Sequence, residues 1–110
     1  MTAVPDRGDV IIVSFDPTLG HEQAGFRPAV VLSPEIYNKA SGLCLVCPIT
    51  TSIKGYPFEA SLEGTRKTSG VALADQVRSI DWKARKIRIV DRVSTVSLAT
   101  ILAKVRPLLC

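Results

Sequence analysis

The sequence predicts a small, mainly β fold of the α+β class, a curled β-barrel of about six strands closed off by a C-terminal amphipathic helix. Three observations carry this expectation. Short apolar, β-branched runs alternate with turn residues, one segment shows a strict period of two, and the last fifteen residues switch to a helical period. With 110 residues, 46% of them hydrophobic and 22% charged, the chain has ordinary globular usage. A domain of this size buries roughly two-thirds of the surface its unfolded chain exposes, so one core suffices. No repeat, linker or low-complexity tract interrupts it, and residues 1–110 read as a single domain.

Val10-Ile11-Ile12-Val13-Ser14-Phe15 is the first candidate strand, stopped by the turn chemistry of Asp16-Pro17-Thr18-Leu19-Gly20. Pro28 to Ser33 forms the second, leaving Asp16 to Arg27 as a long polar loop of the kind that usually carries function. Leu43 to Ile49 is the third, ending at Thr50-Thr51-Ser52, and Lys54-Gly55-Tyr56-Pro57 makes the next turn. Phe58, Ala60 and Leu62 alternate with Glu59, Ser61 and Glu63, as on a strand with one wet face. Val71 to Ala74, introduced by Gly70, is the fifth strand, and Lys86 to Ile89 a sixth and weaker one. Leu98, Ile101, Leu102 and Val105 then fall at i, i+3, i+4 and i+7, capped by Ser94 or Thr95 and ended by Pro107. Short strands followed by one packed helix suit an SH3-like small barrel.

No apolar stretch is long enough to span a membrane, and Asp6 and Asp9 stand where a signal peptide would have its apolar core, so the cytoplasm is the expected compartment. The formal charge of +4 favours a polyanionic partner. Cys44-Leu45-Val46-Cys47 has the spacing of a redox or metal motif, but residues three apart on a strand point to opposite faces, so the two sulfurs read as buried hydrophobes. One histidine and this split cysteine pair make no metal-ligand set, and no glycine-rich nucleotide loop is present; neither metal nor cofactor is expected.

The densest chemistry lies in Gly20-His21-Glu22-Gln23-Ala24-Gly25-Phe26-Arg27-Pro28, which gathers an imidazole, a carboxylate, an amide and a guanidinium. Thr50 and Thr51 add hydroxyls, Lys54 a second cation, and Asp75-Gln76-Val77-Arg78 another carboxylate, amide and guanidinium. These are parts suited to cutting RNA without metal: a base for the 2′-OH, donors for the phosphorane charge and an acid for the leaving oxygen. The bland reading makes Glu22 and Arg27 a surface ion pair and His21 a solvated loop residue. Trp82, flanked by Lys83 and Arg85, reads either as a base-stacking platform or, more ordinarily, as a packing residue.

Taken in order and spacing, Arg7-Gly8-Asp9, Phe15-Asp16-Pro17-Thr18, Gly20-His21-Glu22-Gln23-Ala24-Gly25 and Arg27-Pro28-Ala29-Val30-Val31-Leu32-Ser33-Pro34 resemble the MazF/PemK toxins. The likeness continues through Pro48-Ile49-Thr50-Thr51, Lys54-Gly55-Tyr56-Pro57-Phe58-Glu59 and Gly70-Val71-Ala72-Leu73-Ala74-Asp75-Gln76-Val77. The resemblance implies an SH3-like homodimer that cuts single-stranded RNA at a short sequence, leaving a 2′,3′-cyclic phosphate and a 5′-hydroxyl. It assigns catalysis to Arg27, Thr50 and Glu22, with the division between acid and base left open. Leucine at position 73 replaces the charged residue used in the PemK-like branch, which points to the MazF branch and makes His21 and Asp75 RNA-contact candidates beside Gln23, Thr51, Lys54, Gln76 and Arg78.

The resemblance also implies control by a MazE-type antitoxin whose acidic tail folds over the cationic surface. A gyrase-poisoning toxin of the CcdB type, similar in fold but without nuclease activity, is the competing reading.

Overall fold

The computed structural model describes residues 3–14 and 26–110. Seven strands form one antiparallel system: β1 (Asp9–Ser14), β2 (Phe26–Val31), β3 (Leu43–Thr50), β4 (Glu59–Ser61), β5 (Val71–Leu73), β6 (Arg78–Asp81) and β7 (Arg88–Arg92). Their order is β4-β5-β3-β2-β1-β7, and β6 also pairs with β3. Strand β3 is therefore forked. Along one edge it meets β2, with Ala29 opposite Pro48 and Val31 opposite Val46, while its other edge is divided between β6 (Leu43–Val46) and β5 (Ile49–Thr50). The expected barrel takes the form of a curled sheet whose path ends, β4 and β7, are not paired with each other among the described residues.

Both faces of β1 and of the second half of β3 are covered, which is why Val10–Val13 and Val46–Ile49 are unbroken apolar runs, while Leu43 and Leu45 at the start of β3 are partly exposed. One face carries Val10, Val30, Cys47, Ile49 and Ala72 beneath Ile101 and Val105. The other carries Ile11, Val13, Val31, Cys44, Val46 and Ile80 with Trp82. Cys44 and Cys47 thus lie on opposite faces, as the strand geometry requires. Burial pushes each thiol up to about 12, so both stay protonated and neither is a ready nucleophile or metal ligand at neutral pH. Trp82 is 2% exposed and its Nε1–H donates to the Asn38 carbonyl at 2.9 Å, so it packs instead of offering a face to a base.

Helix α2 (Thr95–Val105) begins at Ser94, whose hydroxyl accepts from the Ser97 N–H, and ends where a 3₁₀ turn containing Pro107 takes over. Ile101 and Val105 seal the first core, and the Ser97 hydroxyl donates to the Ser61 carbonyl, tying α2 to β4.

Two elements were not expected. Helix α1 (Glu35–Ser41) starts at Pro34 and is stopped by Gly42, which adopts the left-handed conformation a C-cap needs. Only Asn38 of this helix is buried, its side-chain amide donating to the Pro5 and Ser33 carbonyls. Strand β6 shows one buried residue, Ile80, in four. Strand β7 runs three residues beyond the expected end at Ile89, because the ladder with β1 continues to Asp9 opposite Arg92 across a bulge at Val10 and Ile11.

Candidate active site

A cavity of about 200 Å³ opens where β3 ends, lined by Thr50, Ser52, Lys54, Tyr56, Phe58, Glu59, Leu73, Asp75 and Gln76. Three pieces of chain converge on it. Thr50 is the last residue of β3, half-buried, and its Oγ1 accepts the Ser52 N–H at 3.0 Å. Asp75 and Gln76 lie exposed on the 3₁₀ turn (Ala74–Gln76) that follows β5. The remaining wall is the stretch from Ser52 to Glu59.

That wall is fixed by one of its own side chains and by two of its backbone carbonyls. The Glu59 carboxylate accepts the backbone N–H of Lys54 (3.2 and 3.0 Å) and of Gly55 (2.8 Å), closing the turn. The Phe58 carbonyl accepts from the Ala74 N–H, and the Pro57 carbonyl accepts from the Lys104 ammonium of α2. The Lys54 ammonium lies 6.0 Å from the centre of the exposed Tyr56 ring. A negative charge lining an anion site would weaken it, but here two backbone N–H groups engage the Glu59 carboxylate, and Lys54, which lines the same cavity, brings a cation to this wall. The wall therefore offers a cation and an aromatic surface together, the combination that holds a nucleic-acid backbone and a base.

Of the residues singled out in the sequence, Thr50, Lys54, Asp75 and Gln76 line this cavity. Thr51 is exposed immediately beyond Thr50, and Arg78 is exposed at the start of β6, opposite Val46. His21, Glu22 and Gln23 lie outside the described residues. Arg27, expected in the loop, stands in β2 opposite Val13, since the β1 ladder extends to Ser14 and Phe26. It does not line the cavity. The β2–β3 pairing ends with Ala29 opposite Pro48, so Arg27 on β2 and Thr50 on β3 each lie two residues beyond its last pair. Sequence reasoning missed Ser52, Tyr56, Phe58 and Glu59 as site residues; the only signal for Glu59 was its spacing of five from Lys54 across a turn. Among the described residues, no group of three histidine, cysteine or carboxylate side chains is placed to hold a metal ion.

The family model for the PemK-like, MazF-like toxin of type II toxin–antitoxin systems matches residues 6–109. The chain belongs to this family. It is 56% identical over 106 residues to the endoribonuclease toxin MazF of Escherichia coli K12, covering 96% of this chain and 95% of that one. Against the endoribonuclease PemK of Escherichia coli it is 36% identical over 108 residues, covering 94% and 81%. Among solved structures, MazF in a MazE–MazF complex from Deinococcus radiodurans superposes with a TM-score of 0.90 at 44% identity, covering 98% and 97% of the two chains. Membership in this family sets aside the gyrase-poisoning alternative.

Proposed function

We propose that this endoribonuclease toxin seats single-stranded RNA across the end of β3, with the scissile phosphate held between Arg27 and Thr50 and the neighbouring nucleotide in the adjoining cavity. The observation that carries the reading is the convergence of Thr50, Lys54, Asp75 and Gln76 on one opening; Arg27 lies on the neighbouring strand, two residues past the last β2–β3 pair, as Thr50 does on β3. The attacking group is the ribose 2′-oxygen. It gives up its proton, bonds to the adjacent phosphorus and expels the 5′-oxygen, which takes a proton, so the products are a 2′,3′-cyclic phosphate and a 5′-hydroxyl. Arg27 and Thr50 stabilise the extra charge on the phosphorane, Arg27 with a guanidinium that matches phosphate geometry and stays charged at every working pH. Glu22 orients the loop or moves a proton. Lys54, Thr51, Arg78, His21, Gln23, Asp75 and Gln76 supply the further RNA contacts.

The toxin works in the cytoplasm as a symmetric homodimer, and a MazE-type antitoxin with an acidic segment silences it by occupying the cationic surface in place of phosphate. The relatives named above, an endoribonuclease toxin and a MazF solved with MazE, support this assignment. Supporting a cytoplasmic site, no helix among the described residues is long and apolar enough to cross a membrane.

The test is digestion of a mixed RNA pool by the purified protein in the presence of a chelator, with the 5′ ends of the products sequenced. Cleavage at one short sequence, leaving 5′-hydroxyl ends and undiminished by EDTA, is expected. Activity that vanishes in EDTA and returns with Mg²⁺, or products bearing 5′-phosphates, would overturn the mechanism.

A further inference from the structure

Thr50 occupies an exposed kind of position. It is the last residue of β3 and forms the final pair of the β3–β5 ladder, opposite Val71, and from Thr51 onward the chain leaves the sheet. Strand ends fray, yet a group that stabilises a reacting phosphate has to be held closely: a displacement of about 1 Å costs on the order of a hundredfold in rate. The hydrogen bond from the Ser52 N–H to Thr50 Oγ1 is local and adds nothing to the terminal pairing with Val71 that holds the Thr50 backbone.

A second contact restrains that backbone. Gly70 sits directly over it, so closely that a Cβ built at Gly70 would lie 2.3 Å from the Thr50 carbonyl oxygen, 2.9 Å from its carbon and 3.3 Å from the Thr51 Cα. The first distance falls about 0.7 Å short of the closest approach that real Cβ atoms keep. The obstacle is backbone and has no rotamer to swing aside. Gly70 also has φ +116, a conformation that side-chain-bearing residues rarely adopt, and its carbonyl accepts the Leu62 N–H, anchoring it to the segment after β4.

We propose that Gly70 is a positioning residue of the cleavage site: its missing side chain lets the backbone ahead of β5 clamp the Thr50 carbonyl and so fixes where the Thr50 hydroxyl is presented. This rests on the reading of Thr50 as a phosphate-holding residue. A side chain at position 70 would push the end of β3 away from β5 by a large fraction of an ångström and carry the hydroxyl with it.

The experiment measures kcat, KM and Tm for Gly70→Ala in the wild-type and Thr50→Ala backgrounds, with Gly42→Ala as a matched control. Gly42 also has positive φ, but a Cβ there meets nothing nearer than the Lys83 side chain at 4.0 Å, so it imposes the backbone strain without the collision. The expected result for Gly70→Ala is a fall in kcat of about 10- to 100-fold with KM little changed. In the Thr50→Ala background the same substitution lowers Tm equally but kcat no further. Gly42→Ala lowers Tm and spares kcat. An unchanged kcat in Gly70→Ala, or an equal further loss on top of Thr50→Ala, overturns the proposal. Full activity in Thr50→Ala alone overturns the assignment of Thr50 and the clamp's purpose with it, an outcome distinct from the other two.

Should Gly70→Ala fail to fold, Val71→Ala decides. It loosens the same strand by removing a buried side chain but leaves the Gly70 contact in place. A lower Tm with kcat retained supports the clamp; a kcat that falls with Tm overturns it.

Discussion

Truncating Arg27 separates chemistry from folding more cleanly than any other single change. Its side chain is exposed and its place in β2 is set by backbone pairing with Val13, which alanine preserves. Arg27→Ala should therefore shift stability by no more than about 0.5 kcal/mol, a few degrees in Tm for a chain of this size. The rate should respond quite differently. Removing one preorganised donor from a developing oxyanion costs roughly a hundredfold in kcat, or about 2.7 kcal/mol of transition-state stabilisation. Arg27→Lys keeps the charge but not the two-pronged geometry and should fall between wild type and alanine. The assay is the initial rate of cutting a short RNA oligonucleotide at fixed ionic strength, run beside thermal melts of the same samples. If rate and Tm decline together, Arg27 is a structural residue; if the alanine variant cuts like wild type, the phosphate lies elsewhere.

Glu59→Ala frees the Lys54–Gly55 turn from its carboxylate anchor, so KM for RNA should rise several-fold with kcat nearly constant; a fall in kcat at constant KM would contradict the role given to this wall. Asp91 provides a pH-dependent case. Burial opposes its ionisation, but the N–H groups of Arg66, Lys67, Arg92 and Thr68 outweigh that effect and hold its carboxyl well below its ordinary 3.8. Because the folded state lowers this value, the stabilisation is fully present above about pH 4 and fades as pH falls below it. Melts of Asp91→Asn should lie below wild type at pH 7, by the equivalent of about 1–3 kcal/mol for lost charge-assisted bonds, and converge with it in acid. A gap that stayed constant from pH 7 to pH 2.5 would refute the linkage.

The strands were legible where both faces or one face are buried, because the chain then advertises itself in unbroken or alternating apolar residues, as in Val10–Val13 and Leu43–Ile49. Helix α1 left no such trace: Ile36 is 81% exposed and only Asn38 is buried, so no apolar stripe exists and only Pro34 and Gly42 marked its ends. Strand β6 is held by its pairing with β3, a non-local property that Arg78-Ser79-Ile80-Asp81 does not express. The site followed the same division. Thr50, Lys54, Asp75 and Gln76 were recognisable from their chemistry and from the family resemblance, but that they share one cavity depends on where β3, β5 and the Ser52–Glu59 stretch meet. Glu59 read only as the wet face of a strand, although its carboxylate holds the turn that presents Lys54. Arg27 was placed one element too early because the polar composition of residues 16–27 hides the point at which pairing with β1 resumes.

The fork in β3 makes the two sides of the cavity unequal in their tolerance of change. Thr50 ends a strand that is paired along both edges further back and is itself still paired with Val71, so substitutions near it disturb β3 and β5 together. The opposite wall, from Ser52 to Glu59, hangs on a few hydrogen bonds, and its tip residues Ile53 and Tyr56 face solvent. The two walls therefore answer differently to substitution: a change beside Thr50 is felt through its pairing with β5, whereas one at Ile53 or Tyr56 meets solvent.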